Sequence, residues 1–246
     1  LSETAPLGFA LTRLTQISAR LAEHDWAWAR ENAEAIERNW QRRIAERPSM
    51  FDGPVLMSQG CAIADGTCEI AFFETRYSRF IASRDWSTVR TGVLNAFAAI
   101  VPHTSDGAVL LGRMGAHTAN AGQIYFPCGT PDREDIREGG IVDLAGSAAR
   151  EFEEETGLVL PAAGHTAPWM LLRRDELLAF LRPVRFDGRA EDLVDRIAAY
   201  HANDAEPELA GMVVVRGLSD IDPDRMQPYV RAYLESVFEP APISLR

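Results

Sequence analysis

From about Leu7 to Arg47 the apolar positions recur every three to four residues, which predicts helix. Ala29, Ala33, Ile36, Trp40 and Ile44 share one stripe, Asp25 stands where a cap belongs, and Pro48 ends the pattern. The next stretch, GPVLMSQGCAIADGTCEIAFFETRYSRF, has two apolar runs around Asp65-Gly66, a hairpin signal. A second pair, NAFAAIVPHTSDGAVLLGRM, turns at Ser105-Asp106-Gly107. Residues 114–143 are rich in Gly, Pro and polar side chains and read as a long irregular loop, a feature that in compact domains is usually functional. A helix is expected from Asp143 to Thr156, with Ala145, Ala148, Ala149 and Phe152 turned inward and Gly157 as its stop. Beyond it the pattern predicts strands near 168–173 and 178–186, a helix near 190–202, a strand at GMVVVR and a last helix from about 222 to 238. The expected class is α+β, with an N-terminal α+β region over residues 1–90 and a second domain over 91–246.

Composition narrows the partners. The 246 residues are 46% hydrophobic, enough for a buried core, and the net charge of −11 argues against nucleic acid or an anionic membrane surface as a partner. No apolar run reaches the length of a membrane span, and LSETAPLGFALTRL lacks a basic segment followed by a continuous apolar one. Cys61, Cys68 and Cys128 are an odd number without C-x-x-C spacing and read as reduced thiols. A cytoplasmic protein acting on a small molecule is expected. The five His are scattered, so zinc is not.

The stretch REFEEETGL, Arg150 to Leu158, puts four carboxylates into nine residues. On a helix Glu151, Glu154 and Glu155 lie at i, i+3 and i+4 and share a face, where like charges repel. Arg150 offsets part of that repulsion. A solvated face is one reading; a site for a hard divalent cation, Mg²⁺ or Mn²⁺, is the other, since such ions take carboxylate oxygens together with the phosphates of a substrate.

Context favours the second. A strand, a loop beginning YFPCGTP and the helix carrying R-E-F-E-E-E-T-G-L resemble the Nudix hydrolase superfamily, whose box reads G-x5-E-x7-R-E-U-x-E-E-x-G-U with U apolar. Arg150, Glu151, Phe152, Glu154, Glu155, Gly157 and Leu158 match its second half at every fixed position. In the first half Gly129 fits the opening Gly, but 20 residues separate it from Arg150 where the box has 13, so the loop carries seven extra residues. Asp135 stands where the first box Glu belongs; Asp143, nearer the helix, either takes that role or caps the helix.

The resemblance implies a Nudix α/β/α sandwich with a mixed sheet and hydrolysis of a nucleoside diphosphate linked to a moiety X. It implies Glu151, Glu154 and Glu155 as metal ligands, Arg150 as their organiser, and either one of these Glu or a Glu from a later loop as activator of water. Glu206 and Glu208, in NDAEPELAG, are the candidates for the later one. Arg113, His117 and Gly129 flank the catalytic loop as candidate substrate contacts. The N-terminal stretch with Trp40, Phe51-Asp52-Gly53 and Tyr77-x-x-Phe80 is similar to that of the animal Nudix hydrolases of UDP-glucose and UDP-galactose, which points to a UDP-sugar as substrate and to residues 1–90 as a specificity element. A coenzyme A or ADP-ribose pyrophosphatase and a nucleotide-binding regulatory module with the Nudix fold remain as alternatives. By residue type alone Tyr77, Phe80 and Trp86 read as core.

Overall fold

In the computed structural model, which describes residues 2–86, 90–161, 168–202 and 204–239, the chain opens in strands rather than in the expected helix. β1 (Ser2–Thr4), β2 (Ala10–Leu14) and β3 (Gln16–Leu21) precede α1 (Ala27–Glu31) and α2 (Ala33–Glu46). The hairpin β4 (Pro54–Ala64) and β5 (Thr67–Arg76) leads into α3 (Tyr77–Asp85). Then come β6 (Asn95–His103), β7 (Val109–Met114), the short strands β8 (Ile124–Tyr125), β9 (Ile136–Arg137) and β10 (Ile141–Val142), and α4 (Leu144–Thr156). β11 (Trp169–Arg174), β12 (Leu177–Arg185), α5 (Ala190–His201), β13 (Leu209–Val215) and α6 (Pro228–Phe238) complete the described residues.

The fold is mixed α+β with two mixed sheets. The larger runs β1-β2-β11-β12-β6-β7-β13, with β8 on β7; the smaller runs β4-β5-β3-β10-β9. The expected regions 1–90 and 91–246 interleave in both: β2 pairs with β11, and Arg20 of β3 pairs with Ile141 of β10. The helix expected from Leu7 is corrected for a local reason. β2 and β3 meet at Thr15, where the chain passes from one sheet to the other and the face turned to the core between the sheets changes parity: Leu14 enters that core before the break and Ala19 after it, while Leu11 packs on the opposite face of the larger sheet. Two strands out of phase by one residue mimic a helical period. Helix starts instead at Ala27, with Trp26 rather than Asp25 preceding it, and Ala33 of the expected stripe is exposed. The last helix begins at Pro228 rather than near 222, because Asp222 accepts the Asp224 and Arg225 N–H groups in a turn and Pro suits the first helical position.

Each sheet face has its own core. Leu14, Ala98, Ile100 and Phe180 of the larger sheet meet Leu56, Ile70 and Phe72 of the smaller, together with Phe152 of α4 and Leu193 of α5. The opposite face of the larger sheet, through Phe97, Ala99 and Leu111, packs on Tyr229, Val230 and Tyr233 of α6. Val55, Met57 and Phe73 on the other face of the smaller sheet meet Phe80 and Ile81 of α3, Trp26 and Ile36. No helix among the described residues is long and apolar enough to cross a membrane.

Candidate functional site

The carboxylate helix is built as its sequence dictates. Asp143 caps it, accepting the Gly146 N–H at 2.8 Å, and Gly157 ends it in the left-handed conformation (φ 67°), which a side chain resists. Leu144, Ala148 and Phe152 face the core; Ala145, expected inward, is exposed, and Ser147, Glu155 and Thr156 are buried instead. Asp143 is thereby a cap. Residues 136–142 form the β9–β10 turn, which returns the chain so that Asp135, fully buried, meets the helix. Asp135 accepts from Ser147 Oγ at 2.9 Å and from Arg150 Nη2 at 3.2 Å.

Arg150 stands at the centre. Its Nη1 lies 2.8 Å from Glu151 and 3.2 Å from Glu154. Burial opposes its charge, but Glu151, Asp135 and Glu154 outweigh that and raise its pKa. Glu151 is pushed up to about 7, by burial first, with Glu154 and Glu208 adding and Arg150 opposing. Glu155 is pushed up to about 9 by burial, then by Glu208 and Glu151, and its Oε2 is buried without a hydrogen-bond partner. A Cβ at Gly129 would come within 2.5 Å of the Glu151 carboxyl and displace it. Beside it the half-buried Cys128 thiol has its pKa raised by burial and by Glu155.

Of the two later candidates Glu208 lies within electrostatic reach of the α4 carboxylates. The residue as a whole is exposed, yet partial burial of its carboxyl and Glu154 raise its pKa, with His117 lowering it. Glu206 is an exposed residue of a bend whose N–H donates to Asp204 at 3.0 Å. His117 is exposed and lies over Gly115, whose N–H donates to the Glu208 carbonyl at 2.7 Å. Arg113 is exposed on β7, its guanidinium near Gly211, and no contact among the described residues joins it to the α4 carboxylates.

Among the described residues no three His, Cys, Asp or Glu converge as a ready-made ion site. Carboxylates are nonetheless the kind of donor a hard cation takes. Four carboxylates lie within electrostatic reach of one another, and the positive charge among them is Arg150, which draws Glu151 and Glu154 toward itself.

A cleft of about 660 Å³ opens beside Gly129. Sequence reasoning missed most of its wall: Ser83 and Arg84 of α3, Thr91, and Arg174 to Leu177 at the β11–β12 turn, which carry no local pattern that sets them apart from surface. Phe80 serves both as core and as cleft wall, and Tyr77 feels both Arg84 and Glu208. The end of α2 also reaches the loop between β7 and β8, Arg47 donating to the Thr118 carbonyl. Compared with known proteins, the chain matches no family model and no curated sequence.

Proposed function

We propose that this chain is a Nudix hydrolase, its paired sheets and flanking helices a variant of the Nudix sandwich, cleaving the pyrophosphate of a nucleoside diphosphate linked to X. The observation that carries this reading is the gathering of Glu151, Glu154, Glu155 and Glu208 within electrostatic reach of one another, with Glu151 packed on Gly129 and one buried Glu155 oxygen left without a partner among the described residues. A binding-only module has no use for so much enforced repulsion.

Glu151, Glu154 and Glu155 would hold Mg²⁺ or Mn²⁺, which supplies the charge a pyrophosphate needs and acidifies the attacking water. Gly129 leaves room for the Glu151 carboxyl, and Asp135 fixes Arg150 so that it orients the helix carboxylates. Glu208, with its raised pKa, accepts the proton as the water oxygen bonds to one phosphorus. The bridging P–O bond breaks, and a nucleoside monophosphate and X-phosphate leave. Residues of α2 and α3 bordering the loop and cleft support the N-terminal segment as the specificity element.

On the sequence likeness a UDP-sugar is the first substrate to try; the arginines of the cleft favour coenzyme A or an ADP-ribose compound as the second. The test is a panel of UDP-glucose, ADP-ribose and coenzyme A with Mg²⁺, read by product identity. UMP and a sugar 1-phosphate are expected from the first. No cleavage of any pyrophosphate by folded protein overturns the assignment.

A further inference from the structure

The cleft carries positive charge that the chemistry at α4 does not use. The chain has no lysine, and its 25 arginines face 36 acidic residues, so an arginine without a carboxylate partner stands out. Arg84 is one: it has no ion pair among the described residues, and its guanidinium sits 5.7 Å from the Phe80 ring centroid. Arg90 is another in effect. Its closest carboxylate, Asp175, is 3.9 Å away, and both side chains are largely exposed. Arg174 is fixed in place, 4.4 Å over the Phe9 ring and donating to the Leu7 carbonyl at 3.1 Å, with its Nε 3.8 Å from the same Asp175. The remaining carboxylate of the wall, Glu176, is taken up by the Thr91 N–H and hydroxyl and the Gly92 N–H at 2.8 to 3.0 Å.

Two of these guanidiniums thus share one loosely placed carboxylate and the third has none among the described residues, in a protein whose net charge is −11. None of the three bonds to the α4 carboxylates, and the cleft they line reaches Gly129, against which Glu151 packs. A guanidinium presents paired N–H groups that match phosphate and carboxylate oxygens. A neutral hexose would leave them facing water alone.

We propose that this cleft receives the X portion of the substrate and that X bears an anionic group of its own, a phosphate monoester or a carboxylate, held by Arg84 and Arg90 in front of the fixed charge of Arg174. The proposal rests on the pyrophosphatase reading and narrows its substrate class. Three pairs of compounds differ by such a group on X: UDP-glucose and UDP-glucuronate, UDP-galactose and UDP-galacturonate, ADP-ribose and ADP-ribose 1″-phosphate. KM is measured with Mg²⁺, and Kd by calorimetry with Ca²⁺, for the wild type and for Arg84→Gln and Arg90→Gln, whose exposed side chains make their folding easy to confirm by circular dichroism. The charged member of at least one pair is expected to bind about tenfold or more tightly, as one charge-assisted contact provides. The carboxylate pairs and the phosphate pair tell which anion is read. Each variant should bring the ratio toward one. Ratios within twofold in all three pairs, or a preference that both variants leave intact, overturn the proposal. Preferential binding without hydrolysis of any compound upholds the cleft and removes the pyrophosphatase reading; hydrolysis without preference does the reverse.

Discussion

Glu155 stores repulsion that pH and cations can release. Its carboxyl is raised to about 9 and that of Glu151 to about 7, so the folded state holds protons that the unfolded chain gives up near the ordinary carboxylate value of about 4.3. The stability these groups contribute is present in full below that value. It is lost as pH rises, through about 7 for Glu151 and about 9 for Glu155. The metal-free protein should therefore melt at a lower temperature at pH 8 than at pH 5.5. Glu155→Gln should flatten that fall, and Mg²⁺ should raise Tm more at pH 8 than at pH 5.5. Thermal melts of both proteins across pH check this; equal slopes would show that the Glu155 carboxyl carries no such strain. At Gly129 the constraint is steric. Gly129→Ala puts a methyl within 2.5 Å of the Glu151 carboxyl, which has to move. Turnover should fall by about 10²-fold, the scale of a misplaced catalytic group, while circular dichroism stays native.

At the scale of elements, α4 is held from outside by a residue of the loop before it. Asp135 is buried and joins Ser147 to Arg150, so Asp135→Asn leaves Arg150 without its fixed partner. The loss should be about 3 kcal/mol, as for breaking a buried pair, measured by urea unfolding. Glu154→Gln differs in kind. Its side chain is 60% exposed, so stability should hardly change, whereas turnover should fall by about 10²-fold if it serves the reaction. Wild-type rates in a folded Glu154→Gln protein would return the helix to a solvated acidic face. Much of this element was legible: the cap, the stop and the spacing of the Glu are local, and local rules decide them. The Asp65-Gly66 turn was legible for the same reason, both residues having positive φ. The 10–21 segment was not, because its apparent period comes from a strand break whose cause is a partner far along the chain. The choice of Glu208 over Glu206 was not either. It depends on where β13 lies beside β7, and sequence spacing is silent on that. Arg84, Arg90 and Arg174 meet in one cleft only after the sheets have formed.

At the scale of the whole molecule, the reading makes activity depend on a divalent cation. Exhaustive chelation should abolish pyrophosphate cleavage and Mg²⁺ should restore it; full turnover in EDTA would be incompatible with the role given to α4. The crossing at Thr15 has a consequence in time. β2 completes its ladder only when Trp169 to Arg173 arrive, and β3, though it can pair with β5, meets its other neighbour only with Ile141. Strands made early are thus finished late, and pairing between such distant segments slows folding. No leading fragment of this chain can close the larger sheet by itself. A growing chain stopped short of residue 169 would expose the edge of β2, which makes the order of synthesis, rather than any one contact, the hazard this architecture has to survive.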